Sequence, residues 1–434
     1  MATLWKQAAP LHPTFDRLNR CLREDWFLLP FELRLQAGHA AALEAAGILT
    51  AGQRAELHRA LDRIGREYLG RDCPDSDAED LHTWVESALT AAVGEAGRMI
   101  HTARSRNDQV ATLLRMYCID AAGRLEEHLR AMISLSCRRA ARWCELAFPL
   151  QTHAQFAAPG TIGFWLLRYA TAWERSRGHL RYFIGAWRRH CPLGSGAVAG
   201  SSIPIDRRLQ AAALGFDGPS PSALDSTSGR DDCLEFLALA AQVALHLQAF
   251  AADVIAFSQT PLAWTRYPPA FATGSSMMPN KLNPDAMELL RGEASGVAAA
   301  HGEALVLLKG LPSGYNRDLQ CIKPLLRRAA DRLLWLCEMT AAFLEQLDFD
   351  PAALEVSTRQ GQIGATLRME ELVLQGTPLR EAHHAIATDV QAGRQVMPGE
   401  ARDWITRYRT AGSASPAETR RVAAELLEQL KEPG

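Results

Sequence analysis

The chain runs to 434 residues, more than one ordinary domain holds, and its apolar content is that of a globular protein with a large core. Its 47 Lys and Arg stand against 49 Asp and Glu, and the formal net charge of −2 excludes the basic excess of a general nucleic-acid binder. Nine cysteines, scattered singly with no CxxC pair, argue against a disulfide framework or a structural zinc site and for reduced thiols in a cytoplasmic protein.

Met1–Gln7 carries no apolar leader run, so no signal peptide is expected. Ala, Leu, Arg and Glu dominate, all good helix formers, while alternating β-branched runs are scarce; an all-α fold is predicted. Arg71–Ala78 reads as a loop, and His101–Gln109 as the start of a helix. Apolar residues then recur three and four apart at Leu125, Leu129, Met132 and Ile133. Gln155–Gly163, with Pro159, Gly160 and Gly163, reads as a break, as do Pro192–Pro204 and Asp217–Ser228. The segment from Arg230 to Phe257 predicts a helix roughly 40 Å long at about 1.5 Å per residue. It is apolar over much of its circumference, so a central bundle that packs against other subunits is expected. Its Glu235, Gln242, His246, Gln248 and Asp253 argue against a membrane span. Thr260–Pro284 reads as a long loop and Leu325–Leu347 as a further long helix. Boundaries near 105 and 350 divide the chain into 1–105, 106–350 and 351–434, with no internal repeat.

Several polar clusters could carry chemistry. Gly274-Ser-Ser-Met-Met-Pro-Asn-Lys-Leu-Asn-Pro284 holds a glycine and two prolines that disfavour regular structure, and it presents Ser275, Ser276 and Lys281 to something anionic. An ordinary polar loop has the same composition. Arg104, Ser105, Arg106 and Asn107 at a helix start form a ready anion site, although a solvated capping segment would look alike. Thr152-His153-Ala-Gln155 sets a histidine among hydrogen-bonding side chains, suited to proton transfer or to a structural role. Asp285 and Glu288 follow Pro284 at a helix head, where Glu288 could orient a histidine or simply favour the helix dipole. Tyr315–Gln320 with Lys323 interrupts an apolar stretch, as the wall of a site or as a plain interhelical loop. Asp225–Ser228 serves equally as a cap to the long apolar helix. Gly194-Ser-Gly-Ala-Val-Ala-Gly200 imitates a dinucleotide motif, but Arg188–Pro192 before it is no apolar strand, so a nicotinamide site is rejected. No P-loop, HExxH or metal-ligand spacing occurs, and no metal or cofactor is called for.

Taken together the clusters resemble argininosuccinate lyase, a member of the aspartase/fumarase superfamily, from about Glu32 to Ala387. The matching strings are Asp80–Glu86, His101–Gln109, Thr152–Pro159, Pro192–Gly200, Leu224–Asp231, Thr273–Pro284, Leu308–Gln320 and Leu379–His383. The resemblance implies three helical domains and a homotetramer whose twenty-helix core is shared by four subunits, each active site drawing on three chains. It implies reversible β-elimination from a dicarboxylate substrate, releasing fumarate and an amine. Ser275 matches the base, Lys281 the lysine that supports developing charge, and His153 a substrate-bonding histidine paired with Glu288. Arg106, Asn107 and Thr152 match fumarate-side contacts, with Ser105, Ser276, Asn283, Tyr315, Gln320 and Lys323 as further substrate contacts. A catalytically silent structural or regulatory paralogue is the alternative.

The chain departs from this pattern where the amine is recognised. Asn280-Lys281-Leu282-Asn283 stands for a Gln-Lys-Lys-Asn run, and Cys321-Ile322 for two acidic residues. Leu35-Gln36 stands for a Gly-Ser pair, Ala103 for a glycine, Ala158 for a glutamine, and Gly364–Arg368 for a more acidic string. An intact elimination machinery with an altered leaving-group pocket is therefore expected.

Overall fold

Long runs of helix formers with few breakers fold as the sequence predicts. The computed structural model describes residues 11–431, which leaves the N-terminal heptapeptide read above outside the described residues. Among the described residues five helices exceed twenty residues: α1 (Arg106–Arg142), α2 (Ile162–Arg188), α3 (Asp231–Ser258), α4 (Asp285–Leu308) and α5 (Ile322–Gln346). Residue 105 immediately precedes α1, and the Asp350 carboxylate caps the helix Pro351–Thr358.

The chain divides into two compact units. One comprises residues up to 123 with 182–238 and 300–329; the other comprises 124–181, 239–299 and 330 onward. Each of the five long helices contributes one end to each unit.

In the first unit, helices Leu29–Ala45, Ala51–Tyr68 and Leu81–Val93 bury Leu35, Leu43, Leu57, Leu61, Val85 and Leu89. Thr50 and Gln53 form a reciprocal capping box that fixes the start of the second of these helices. Trp26, Tyr68 and Trp84 meet edge to face, with ring centroids 4.8–6.1 Å apart.

The second unit is built around aromatic residues of α2, α3 and α5, with Trp173, Phe250 and Phe343 fully buried. Helix α3 is long and apolar enough, by length and composition, to cross a membrane. Two of its carboxylates are nonetheless satisfied inside the fold. Asp253 accepts from the Trp165 indole at 2.8 Å and the Tyr169 hydroxyl at 2.5 Å, and in the first unit Glu235 accepts from the Trp187 indole at 2.8 Å.

The helical prediction needs two local corrections. Asp225–Ser228, read within a break and as a cap to the long helix, lies inside a short helix of its own, Ala223–Ser228, which Ser222 caps. Residues around Gln155–Gly163, read as a break, form half of an antiparallel hairpin: β1 (Ala147–Thr152) pairs with β2 (Gln155–Thr161). Pro149 lies opposite Pro159, a pairing in which neither residue has an N–H to donate. Among the described residues four further pieces of strand are two residues long each. These are β3 (Thr265–Arg266) paired with β6 (Asp348–Phe349), and β4 (Thr273–Gly274) paired with β5 (Leu282–Asn283).

Candidate active site

The Gly-Ser-Ser loop belongs to the second unit and is folded back by its own ends. Thr273 pairs with Asn283 and Gly274 with Leu282, which leaves Ser275–Lys281 as the arch. Ser275 is half-buried, and its Oγ accepts the N–H groups of Met277 at 3.3 Å and Met278 at 2.9 Å. Donors already aimed at a hydroxyl oxygen are what a developing alkoxide requires. Ser276 and Lys281 are exposed, and the Lys281 ammonium has no hydrogen-bond or ion-pair partner among the described residues. Asn283 is half-buried in β5. Asp285 Oδ2 receives the Thr273 N–H at 2.9 Å and its hydroxyl at 2.6 Å, and these bonds hold its carboxyl below the usual range. Glu288, in the first turn of α4, is exposed and unpartnered among the described residues.

His153 stands at the tip of the β1–β2 hairpin. The two-residue connection has φ of 54° at His153 and 58° at Ala154. Two left-handed residues match the twist of a tight hairpin, a job usually given to Asn-Gly. Each non-glycine residue there costs about 1–2 kcal/mol. Strain of this kind is retained where a side chain has to be held in one direction. Thr152 and His153 are exposed, and His153 meets no hydrogen-bond partner among the described residues.

In the first unit the anion site expected at residues 104–107 is present but largely engaged. Ser105 caps α1: its Oγ accepts the Asn107 N–H at 3.3 Å, while its own N–H is taken by Asp108 at 3.0 Å. Arg106 holds Glu86 with two parallel bonds of 2.8 and 3.3 Å and also reaches Thr83 at 3.2 Å. Glu86 further accepts from His101 at 2.8 Å and Arg104 at 3.3 Å. Burial alone would raise the Glu86 carboxyl, but the His101 hydrogen bond and the two arginine charges overrule it and bring it down to about 2. Asn107 donates to the Ala197 carbonyl at 3.1 Å.

The glycine string read as a decoy has a positive role. The N–H groups of Gly194 and Gly196 both point at Asp108 Oδ2, at 3.0 and 2.8 Å. The string thus cradles a carboxylate of its own chain rather than a phosphate. Burial pushes the Asp108 carboxyl up to about 6 against the pull of these donors. Gly196 has φ 61°, and a Cβ there would fall 2.4 Å from the Gly200 carbonyl oxygen.

Tyr315 is half-buried, whereas Gln320 and Lys323, both expected among the substrate contacts, turn to Asp25. Lys323 Nζ lies 2.8 Å from both Asp25 oxygens, and the two side chains are each 1% exposed. In this chain the Lys323 ammonium is the buried counter-charge of Asp25, and the same carboxylate also holds Gln320, whose amide donates to it at 3.1 Å.

The departures from the family pattern sort by burial. Leu35, Gln36 and Ile322 are fully buried, with Gln36 bonded to Glu32 and Arg104. Cys321 and Leu282 are exposed and free to meet a ligand. Ala103, at the expected glycine, has φ 63°. Replacing Ala103 by Gly removes a left-handed penalty of about 1–2 kcal/mol and gives back about 0.4–1 kcal/mol of chain entropy. A net gain of roughly 0.5–1 kcal/mol is expected in urea unfolding, and an unchanged or lower midpoint would refute that strain.

Among the described residues no group of three His, Cys, Asp or Glu could hold a metal ion. A cavity of about 610 Å³ in the second unit, lined by Glu145, Glu355, Arg359, Met397 and Trp404 among others, contains none of the sequence-predicted site residues.

A family profile described as lyase matches residues 16–299. The argininosuccinate lyase of Acidobacterium capsulatum is 37% identical over 391 residues, 88% of this chain and 80% of that protein. That of Koribacter versatilis is 37% identical over 383 residues, 88% of this chain and 82% of that protein. Among solved structures, EDDS lyase in complex with formate superimposes with a TM-score of 0.83 at 21% identity, covering 98% of this chain and 91% of that one. A class II fumarase from Schistosoma mansoni gives a TM-score of 0.72 at 16% identity, covering 89% and 88%. With a family profile over most of its length and relatives at this identity, the chain belongs to the lyase family of the aspartase/fumarase superfamily, as an argininosuccinate lyase-like member.

Proposed function

We propose that the protein is a carbon–nitrogen lyase that releases fumarate by β-elimination from an N-substituted aspartate, either argininosuccinate or a related N-succinyl compound. Ser275 removes the proton from the carbon next to a carboxylate. The intermediate carries two negative charges on that carboxylate, and Lys281 offsets them. The C–N bond then breaks, its electron pair leaves with nitrogen, and nitrogen takes a proton from an acid. Arg106, Asn107 and Thr152 grip the fumarate half, with Ser105, Ser276, Asn283, Tyr315 and Gln320 around it. His153, paired with Glu288, bonds the substrate.

The observation that carries this reading is the Ser275 oxygen with two N–H donors already on it, in a loop whose lysine has no hydrogen-bond or ion-pair partner among the described residues. A serine is a poor base in water, and its alkoxide becomes accessible only where donors and positive charge await it. The active unit is a homotetramer with sites built from several chains. Support comes from apolar residues left open on long helices, among them Leu245, Leu289, Val306 and Trp335, with Val306 78% exposed. Exposed and unpartnered His153 and Glu288 fit groups that are completed by neighbouring chains. Nine free cysteines, most of them buried, fit a cytoplasmic setting.

The test is fumarate release, followed by its ultraviolet absorbance, with argininosuccinate and then with a panel of N-succinyl amines. At least one N-succinyl amine is expected to be turned over faster than argininosuccinate, because the exposed Leu282 and Cys321 offer no charge to a guanidino group. Equal or faster turnover of argininosuccinate refutes the altered pocket. A folded tetramer inert toward every compound supports the silent paralogue instead.

A further inference from the structure

The loop that carries Ser275 and Lys281 is fastened at its base by one carboxylate. Asp285 Oδ2 takes both the N–H and the hydroxyl of Thr273, at 2.9 and 2.6 Å. The feet of the loop stand on a firm base. Rings of Tyr267 and Phe271 lie 5.2 and 5.4 Å from Phe343, and the Tyr267 hydroxyl accepts the Met287 N–H at 3.3 Å. Beyond the two residue pairs of β4 and β5, the arch is tied, among the described residues, only by turns within itself, from Met277 and Met278 to Ser275 and from Lys281 to Met278. The Thr273–Asp285 contact is therefore the last side-chain tie before the reacting segment.

Its placement matters for geometry. Thr273 is two residues before Ser275, and Asp285 is three residues before Glu288, on the same face of α4. Two donors on one oxygen fix the direction in which the strand leaves the helix head. We propose that Asp285 is a positioning residue that acts through Thr273 to set where the Ser275 hydroxyl stands relative to Lys281 and Glu288. The proposal rests on Ser275 being the base.

Three variants of the full-length protein test it: Asp285→Ala, Asp285→Asn and Thr273→Val. Each is read by steady-state fumarate release and by hydrogen exchange of the segment 273–285. Asp285→Ala is expected to lower kcat about tenfold to hundredfold, since small misplacements of a reacting group have effects of that size. KM should stay within about threefold, because substrate contacts remain. Exchange in 273–285 should accelerate. The Asn variant keeps an oxygen that accepts both bonds, so it should return kcat to within a few-fold of wild type. Thr273→Val loses the hydroxyl donor but keeps the N–H, and should fall between. Wild-type kcat in Asp285→Ala, or an Asn variant no better than Ala, overturns the proposal. Should Asp285→Ala not fold, the Asn and Val variants carry the comparison. The two readings also fail separately. Accelerated exchange alongside a fully active Ser275→Ala would remove the base and leave the fastening; unchanged exchange alongside an inert Ser275→Ala would do the reverse.

Discussion

Replacing Ser275 by Ala is expected to lower kcat/KM for fumarate release by about 10³-fold, within the range that positioned general bases supply. The variant should still fold and assemble, since among the described residues the Ser275 hydroxyl bonds only to two N–H groups inside an exposed arch. KM should change little, because the hydroxyl acts on the proton in flight rather than on the carboxylates. Lys281→Met should give a loss of similar kind, by removing the charge that offsets the doubly negative intermediate. Steady-state kinetics with the best N-succinyl substrate, beside a size measurement of the assembly, decide the matter. A Ser275→Ala protein with wild-type turnover would transfer the proton abstraction to another group.

The largest effect on stability is expected at Asp25. Its side chain is 1% exposed and is the counter-charge of a lysine that is itself buried. Burial works against the Lys323 ammonium, and Asp25 is what keeps it charged. Asp25→Ala strands that charge together with the Gln320 amide, at a cost of about 3–5 kcal/mol. Adding Lys323→Met should recover most of the loss, because a buried apolar pair needs no partner. Urea unfolding at fixed protein concentration measures both. If Asp25→Ala unfolds at the wild-type midpoint, water or another group compensates the lysine. The consequence for function is indirect: Gln320 loses its anchor.

The helical architecture was legible because its signal is local. Apolar residues three and four apart between Leu125 and Ile133 lie in α1, and the run from Arg230 to Phe257 became α3 within one residue at each end. Ser275 and Lys281 were legible as a loop because glycine and proline punctuate it. The hairpin was hidden for an equally physical reason. Phe148 and Leu150 stand two apart with Ala147 and Pro149 beside them, so no apolar–polar alternation marks a strand; His153-Ala154 lacks turn chemistry and two prolines argue against strands. Tertiary packing overrides those local preferences: Gly361 approaches Phe156, and Tyr408 donates to the Pro159 carbonyl at 3.1 Å. Partnerships distant in sequence were not legible at all. Nothing near Glu86 announces Arg106, and nothing near Lys323 announces Asp25, 298 residues away. For the same reason the glycine string could be rejected as a nucleotide site, yet its embrace of Asp108 could not be foreseen.

The five long helices that each lend an end to both units bear on how such a chain can change over generations. A cut that separated the units would sever all five helices, so neither half is an exchangeable cassette. New substrate preferences in this lineage must then arise by single-residue replacement and by remodelling of short connections such as the 275–281 arch. Gene shuffling, which serves beads-on-a-string proteins well, has no seam to use here.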